Sequence, residues 1–276
     1  MAHEPKDKVF LITGGASGLG ALMTREFLKE GAKQITVLDV ANDAGIALEK
    51  ELNKEHGTNK VKFIKCDVTD EEQLFKAFDD VVKENGNLDV VINNAGIMND
   101  GPNVYKQSIA LNVTALITST IKAIEVMGKD KGGKGGTIIN ISSIAALCRS
   151  PLLPVYFATK SAVLHFGNCI GMPVYYQRTG VRVLTVCFSA TDTPLIDNSN
   201  YKGFDDAATE VARTIMKSTP VQKPESAIRG VLEAYRNGES GSTWVAVNDK
   251  SPKDITNDVK DAYSILSKEF APKQNQ

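Results

Sequence analysis

Apolar residues are arranged along the chain in two alternating patterns. Short solid runs, rich in β-branched residues, stand at 8–13, 34–39, 61–66, 88–92, 137–142, 181–188 and 242–247. A run of that length without polar alternation fits a strand buried on both faces, as in a parallel sheet. Between the runs, apolar residues recur at helical spacing. Leu19, Leu22, Met23 and Phe27 share one face; so do Leu74, Phe75 and Phe78. Long helices are expected at 109–127 and 156–178, a polar one at 43–56, and another at 224–236. Asp70 or Thr69 is the expected cap of the helix at 71–84. Strand followed by helix, repeated, implies parallel βαβ units with ligands at the carboxyl edge of the sheet. After the sixth run the chain turns polar, with Tyr201, Phe204, Ile215 and Met216 interspersed, so a lid is expected over about 190–222. In the tail, about 251–276, Ile255, Val259, Tyr263, Leu266 and Phe270 fall on one helical face and should pack on the substrate pocket or on a second subunit.

Composition changes little in this picture. The chain has 276 residues, 42% of them hydrophobic and 24% charged, a size and balance that suit one α/β domain over 1–276. Net charge is −1 and no basic stripe stands out, so nucleic acid is not an expected partner. No apolar run is expected to span a membrane. The polar amino terminus has no apolar signal segment, and cytosol is the default compartment. Cys66, Cys148, Cys169 and Cys187 form no CxxC spacing and are expected as buried free thiols. The histidines His3, His56 and His165 share no motif with another ligand type, so no metal site is expected; His165 reads as a packed or interface residue.

The chemistry concentrates at strand ends. After the first run comes Gly14-Gly15-Ala16-Ser17-Gly18-Leu19-Gly20, which opens a helix. Glycines here let the backbone turn sharply and approach a pyrophosphate, whose charge sits against the helix amino end. An ordinary glycine-rich turn is the plainer alternative. Asp39 ends the second run, 19 residues past Gly20, where an acid accepts hydrogen bonds from adenosine ribose hydroxyls. It would also repel a 2′-phosphate, and neither Gly15 nor Val40 is basic, so NAD is expected over NADP. Its alternative is to cap the next helix. Asp67 could reach the adenine amino group. Asn93-Asn94-Ala95-Gly96 ends the fourth run with small residues and amides that admit a ligand. Asn112, inside an apolar helix, needs partners: it is either a structural link or the holder of a water wire to Lys160.

Tyr156 and Lys160 stand four residues apart on a predicted helix and point the same way. A cation about 5–6 Å from a phenol, at an effective dielectric near 20, is worth roughly 3 kcal/mol, or about two pKa units. Tyrosine would then exchange protons with an alcohol oxygen. Alone, the spacing is a common accident. No nucleophile elbow or Ser-His-acid arrangement accompanies Ser143, so a hydrolytic serine is not expected.

Taken together, Thr13-Gly14-xxx-Gly18-x-Gly20, Asp67, Asn93-Asn94-Ala95-Gly96, Asn112, Ser143 and Tyr156-xxx-Lys160 resemble the short-chain dehydrogenase/reductase family in order and spacing. The resemblance covers about 8–250. Within it, Lys131-Gly-Gly-Lys-Gly-Gly136 with the strand that follows, Pro154-Val155-Tyr156 and Gly241-Ser-Thr-Trp244 are similar to insect-type alcohol dehydrogenases and NAD-dependent hydroxyprostaglandin dehydrogenases. The resemblance implies a single Rossmann-type doubly wound parallel sheet of about seven strands, with helices on both faces. It implies Tyr156 as acid/base, Lys160 lowering its pKa, Ser143 on the substrate oxygen, and Asn112 holding a water. The implied NAD-binding set is Gly14, Ser17, Gly18, Leu19, Gly20, Asp39, Val40, Cys66, Asp67, Val68, Asn94, Ala95, Gly96, Tyr156, Lys160, Ser189, Thr191 and Thr193. A homodimer or homotetramer through helices 109–127 and 156–178 is also implied.

Two positions depart from the family. Phe188-Ser189 stand where Pro-Gly is usual, next to the nicotinamide. Leu153 stands where prostaglandin dehydrogenases carry glutamine. With Ser143, Leu153 and Tyr156 as substrate contacts, and Leu147, Leu152 and 195–216 nearby, the expected substrate is a small apolar alcohol or ketone. A catalytically idle binding or storage relative and an NADP-dependent carbonyl reductase are the alternatives.

Overall fold

In the computed structural model, residues 2–197 and 201–270 are described. Residues 198–200 of the expected lid and 271–276 of the expected tail lie outside the described residues. Seven strands run parallel: β1 (Val9–Thr13), β2 (Gln34–Asp39), β3 (Val61–Lys65), β4 (Val90–Asn93), β5 (Gly136–Ser143), β6 (Val181–Phe188) and β7 (Thr243–Ala246). The order across the sheet is β3-β2-β1-β4-β5-β6-β7-β8. The eighth strand, β8 (Lys253–Asp254), is antiparallel to β7 and was not anticipated. Lys-Asp carries no apolar signal. The chain reverses before it through Asn248 and Asp249, whose φ values of 54° and 58° lie in the left-handed region those side chains tolerate.

Alternate residues of β1 feed opposite layers, as the two-residue period requires. Phe10 and Ile12 join a core with Phe27, Leu48, Val231 and Trp244. Val9 and Leu11 join another with Leu74, Phe78, Ala123 and Met127. The first layer is supplied by α1 (Gly18–Lys29), α2 (Asn42–His56) and α9 (Pro224–Asn237). The second is supplied by α3 (Glu71–Asn85), α4 (Tyr105–Ile109), α5 (Leu116–Met127) and α6 (Pro154–Ile170). Asp70 caps α3 by accepting from the Gln73 N–H at 3.1 Å.

Two expected helices differ in detail. The one expected at 109–127 begins at Tyr105 and contains a π-helical turn, Ala110–Ala115, around Asn112. Tyr105–Met127 is long and apolar enough to cross a membrane by length and composition. It nevertheless lies between α3 and α6, and its Asn112, Ser119 and Thr120 side chains bond to β4, to Ile97 beyond it, and to β5 and α6. The helix expected at 156–178 is broken: α6 stops at Ile170 and α7 (Pro173–Thr179) follows. Pro173 lacks an N–H and clashes with a continuing helix, yet suits the first position of a new one.

Beyond β6 the lid segment forms a short turn, Pro194–Ile196, and α8 (Asp206–Ser218). Tyr201 and Ala212 there join Met98, Leu152, Leu153 and Tyr156 in a third, smaller core. The tail helix α10 (Thr256–Leu266) packs on β7 and reaches α6, where Tyr263 meets His165 with 3.1 Å between Oη and Nδ1. None of its residues lines the cavity described below, so among the described residues the tail does not cover that cavity; Leu266 and Phe270 face solvent. Of the four free thiols, Cys66 and Cys187 are buried as expected, but Cys148 and Cys169 are exposed. Cys148 follows the turn at Ile144–Ala146 at a cavity mouth, and Cys169 lies on the outer side of α6.

Candidate active site

The strand order reverses between β1 and β4, whose helices go to opposite faces. A crevice must open there at the carboxyl edge. It holds a groove of about 500 Å³ lined by Gly14, Ser17, Gly18, Leu19, Asp39, Val40, Cys66, Asp67, Val68, Asn94, Ala95, Gly96 and Thr193. A neighbouring cavity of about 250 Å³ holds Ser143, Tyr156, Lys160, Ser189 and Thr191, and shares Leu19, Asn94, Gly96 and Thr193 with the groove. Thus nearly all the anticipated residues converge on two joined spaces.

Gly20 is the exception in the cofactor set. It lines neither space; a Cβ there would lie 2.1 Å from the Gly14 carbonyl oxygen and 2.9 Å from Asn94 Nδ2. Its lack of a side chain lets α1 press against the loop, which is a packing requirement. Gly14 supplies the turn itself, with φ of 62°. Asn94 staples the loop to β4 by donating from Nδ2 to the carbonyls of Thr13 and Gly14. Asp39 accepts from the Ala16 N–H and the Ala41 N–H, each at 3.0 Å. It braces the glycine loop from the end of β2; α2 itself has no side-chain cap. A carboxylate has about four acceptor positions, so lone pairs remain for ribose hydroxyls.

Asn112 is buried in the π-helical turn. Its Oδ1 accepts from the Ile97 N–H at 2.9 Å, and its Nδ2 donates to the Ile97 carbonyl at 2.8 Å and to Thr159 Oγ1 at 3.2 Å. These bonds display the structural link: the side chain clamps the loop after β4 to α6 and lines neither cavity. A Cβ on Gly96 would lie 3.1 Å from Asn112 Oδ1 and 3.7 Å from Lys160 Nζ, so the three residues meet.

Tyr156 is buried, and its phenol is pushed up to about 12, chiefly by desolvation; the Ser143 hydroxyl pulls the other way. The expected lowering by Lys160 is therefore corrected for the free protein. Lys160 Nζ lies 5.7 Å from the tyrosine ring centre and donates to the Ile141 carbonyl at 3.2 Å. Burial lowers the ammonium itself to about 8, with the Cys187 thiol beside it acting in the opposite direction. Losing hydration costs each ionised form more than the pair returns at that separation.

Ser143 ends β5. Its Oγ accepts from the Ala145 N–H at 3.1 Å and donates to the Phe188 carbonyl at 3.3 Å. That carbonyl belongs to the pair replacing Pro-Gly. The loop is held instead by side chains: Thr191 Oγ1 donates to the Ser189 carbonyl, and the buried Gln222 donates to Thr191 Oγ1 and the Ala246 carbonyl. Phe188 points into the core and touches the cavity wall.

Among the substrate contacts, Leu153 is corrected. It is fully buried in the third core and absent from the cavity wall, as is Leu147, which is exposed. Leu153 is the residue before the first turn of α6, facing Met98 and Tyr201, while Leu152 and Phe157 face the cavity. With Met98, Ile144, Leu195, Ile196, Ile215 and Met216 they make an apolar enclosure around the Ser143 and Tyr156 hydroxyls. Asp100 and Gln222 carry no sequence signal, because the partners of their side chains lie at least 55 and 24 residues away.

A family model described as short chain dehydrogenase matches residues 8–202. A rat protein named 15-hydroxyprostaglandin dehydrogenase, NAD(+), is 33% identical over 228 residues, covering 82% of this chain and 85% of its own. Alcohol dehydrogenase 1 of Ceratitis capitata is 35% identical over 247 residues, covering 89% and 93%. The human protein named 15-hydroxyprostaglandin dehydrogenase, NAD(+), is 33% identical over 191 residues, covering 69% and 71%.

Proposed function

The chain belongs to the short-chain dehydrogenase family, and on that premise we propose that it is an NAD-dependent dehydrogenase of a small apolar alcohol, a secondary alcohol by preference. The observation that carries the proposal is the convergence of the Tyr156 and Ser143 hydroxyls and the Lys160 ammonium in an apolar cavity joined to a groove ending at Asp39. NAD fits the groove: the glycine loop and α1 amino end suit a pyrophosphate, and Asp39 suits ribose hydroxyls while repelling a 2′-phosphate. When bound, the nicotinamide accepts or returns a hydride.

Ser143 offers a hydroxyl to the substrate oxygen, and Tyr156 takes its proton in oxidation or returns it in reduction. A phenol raised to about 12 in the free protein is protonated at neutral pH, the form that donates to a ketone. Oxidation needs the phenolate. Lys160, anchored on the Ile141 carbonyl, sets a cation near that phenolate and can hold a ribose hydroxyl. The apolar walls exclude water from the reacting oxygen, which suits an apolar alcohol or ketone.

Tyr156→Phe should keep NADH binding, read by fluorescence, and lose about 100-fold or more of its turnover with NAD and a panel of apolar secondary alcohols. Retained turnover sinks the role of Tyr156. The idle-relative alternative gains support if wild type turns over nothing in the panel. Tighter binding of NADPH than NADH favours the carbonyl reductase and removes the argument from Asp39. Two or four copies are proposed to associate through α5 and α6. Ile121 on α5 and Met172 and Val174 beyond α6 leave apolar side chains in solvent.

A further inference from the structure

Helix α6 carries Tyr156 in its first turn, yet it lacks its own cap. Leu153, at the N-cap position, has no side-chain acceptor, and Pro154 at the first helical position has no N–H. The next two N–H groups belong to Val155 and Tyr156. Both are bonded to one carboxylate from elsewhere in the chain: Asp100 Oδ2 accepts from Val155 at 2.7 Å, and Oδ1 accepts from Tyr156 at 2.9 Å. Asp100 is completely buried. Its own N–H donates to the Lys202 carbonyl at 2.8 Å, inside the lid segment. On either side of it, Met98 and Tyr201 pack with Leu153, Tyr156 and Ala212.

A buried carboxylate is costly unless its oxygens are bonded, and a helix amino end is the partner that best repays it. Here the same anion holds the backbone of the proton-transfer residue and one edge of the lid. Any shift of Asp100 must move both, because it is bonded to each and has no freedom in solvent.

We propose that Asp100 is a positioning residue: it sets the place of the Tyr156 side chain through the first turn of α6 and ties that turn to the lid at Lys202. The proposal rests on Tyr156 being the acid/base, as argued above. Misplacing a reacting group by about 1 Å costs on the order of 100-fold in rate, so the effect is expected in turnover and not in cofactor affinity.

The test uses the full chain with Asp100→Asn and Asp100→Ser. Asn is nearly isosteric but replaces one acceptor with an NH2 group facing an N–H; Ser keeps one oxygen on a shorter stem. Expected results are a kcat lowered about 10–100-fold, NADH affinity within about twofold of wild type, and faster amide hydrogen exchange in the 153–159 and 201–209 peptides. A kcat within about threefold of wild type at a temperature where the variant is folded overturns the proposal, even if Tm falls, because that outcome describes a cap and nothing more. An unchanged exchange rate in the 201–209 peptide overturns the link to the lid. If neither variant folds, exchange in the wild-type protein decides: unprotected Val155 and Tyr156 amides overturn the proposal. Full activity of Tyr156→Phe would instead remove the premise and leave the exchange results standing, so the two failures are distinguishable.

Discussion

Lys160 shows what the site costs the fold. Its ammonium is buried, bonded to one carbonyl, and has no carboxylate partner among the described residues. The folded pKa is about 8 against 10.5 for the ordinary group. Below pH 8 both folded and unfolded chains carry the proton, and the penalty of burying it is fully present. Between about 8 and 10.5 the unfolded chain binds more protons, so this group's contribution to stability rises with pH across that window. The penalty is about 3 kcal/mol. Lys160→Met should therefore raise Tm at pH 7, with the gain over wild type shrinking by pH 10, while turnover is lost. A lower Tm for the variant at pH 7 in thermal melts contradicts this account. Tyr156 carries the opposite sign: raised to about 12, its phenol stays protonated as the solution turns alkaline. Alcohol oxidation should accordingly speed up with pH until the phenol ionises in the cofactor complex, which a kcat/KM profile in the oxidative direction reads directly.

At the scale of elements, the π-helical turn is the part that assembles the site. A regular helix from Tyr105 to Met127 would carry Asn112 past the loop after β4. The wider turn at Ala110–Ala115 seats it against both backbone groups of Ile97 and against Thr159 on α6. Turns of this kind recur where function needs a side chain displaced from the regular spiral. Asn112→Ala would leave the Ile97 N–H and carbonyl without these partners, a loss of about 1–3 kcal/mol. A drop in Tm together with a raised KM for NAD is expected, since Ile97 and Gly96 also wall the groove. An unchanged Tm would show that the clamp is dispensable. The loop after β6 makes a related point. Where the family has Pro-Gly, this chain holds the loop by side-chain bonds among Gln222, Thr191 and the Ser189 and Ala246 carbonyls.

Across the whole molecule, the switch between β1 and β4 opens the crevice at the carboxyl edge, and the lid supplies part of the cavity wall. Tyr201, Ala212, Ile215 and Met216 approach from beyond β6 and close an apolar wall over Tyr156. The tail helix is spent on β7 and α6, and none of its residues lines the cavity, whose mouth lies between the lid and the segment around Cys148. Association through α5 and α6 would back the helix that carries Tyr156 with a second copy. Light scattering should report twice or four times the chain's 29.8 kDa; a monomer at micromolar concentration counts against that interface.

Much of this was present in one dimension. The parallel strands, the glycine turn, Asp39 at the end of β2, and Tyr156 beside Lys160 on one helix follow from local periodicity and spacing, which do not depend on distant contacts. Side-chain direction at a helix start, pKa and long-range bonds depend on packing. For that reason Leu153 turned into the core, Gly20 became a packing contact, and the phenol was raised where a neighbouring cation alone would have lowered it. Only the tertiary structure could bring Asp100 to the amino end of α6, because a carboxylate finds unpaired N–H groups by their position in space and not by their distance along the chain.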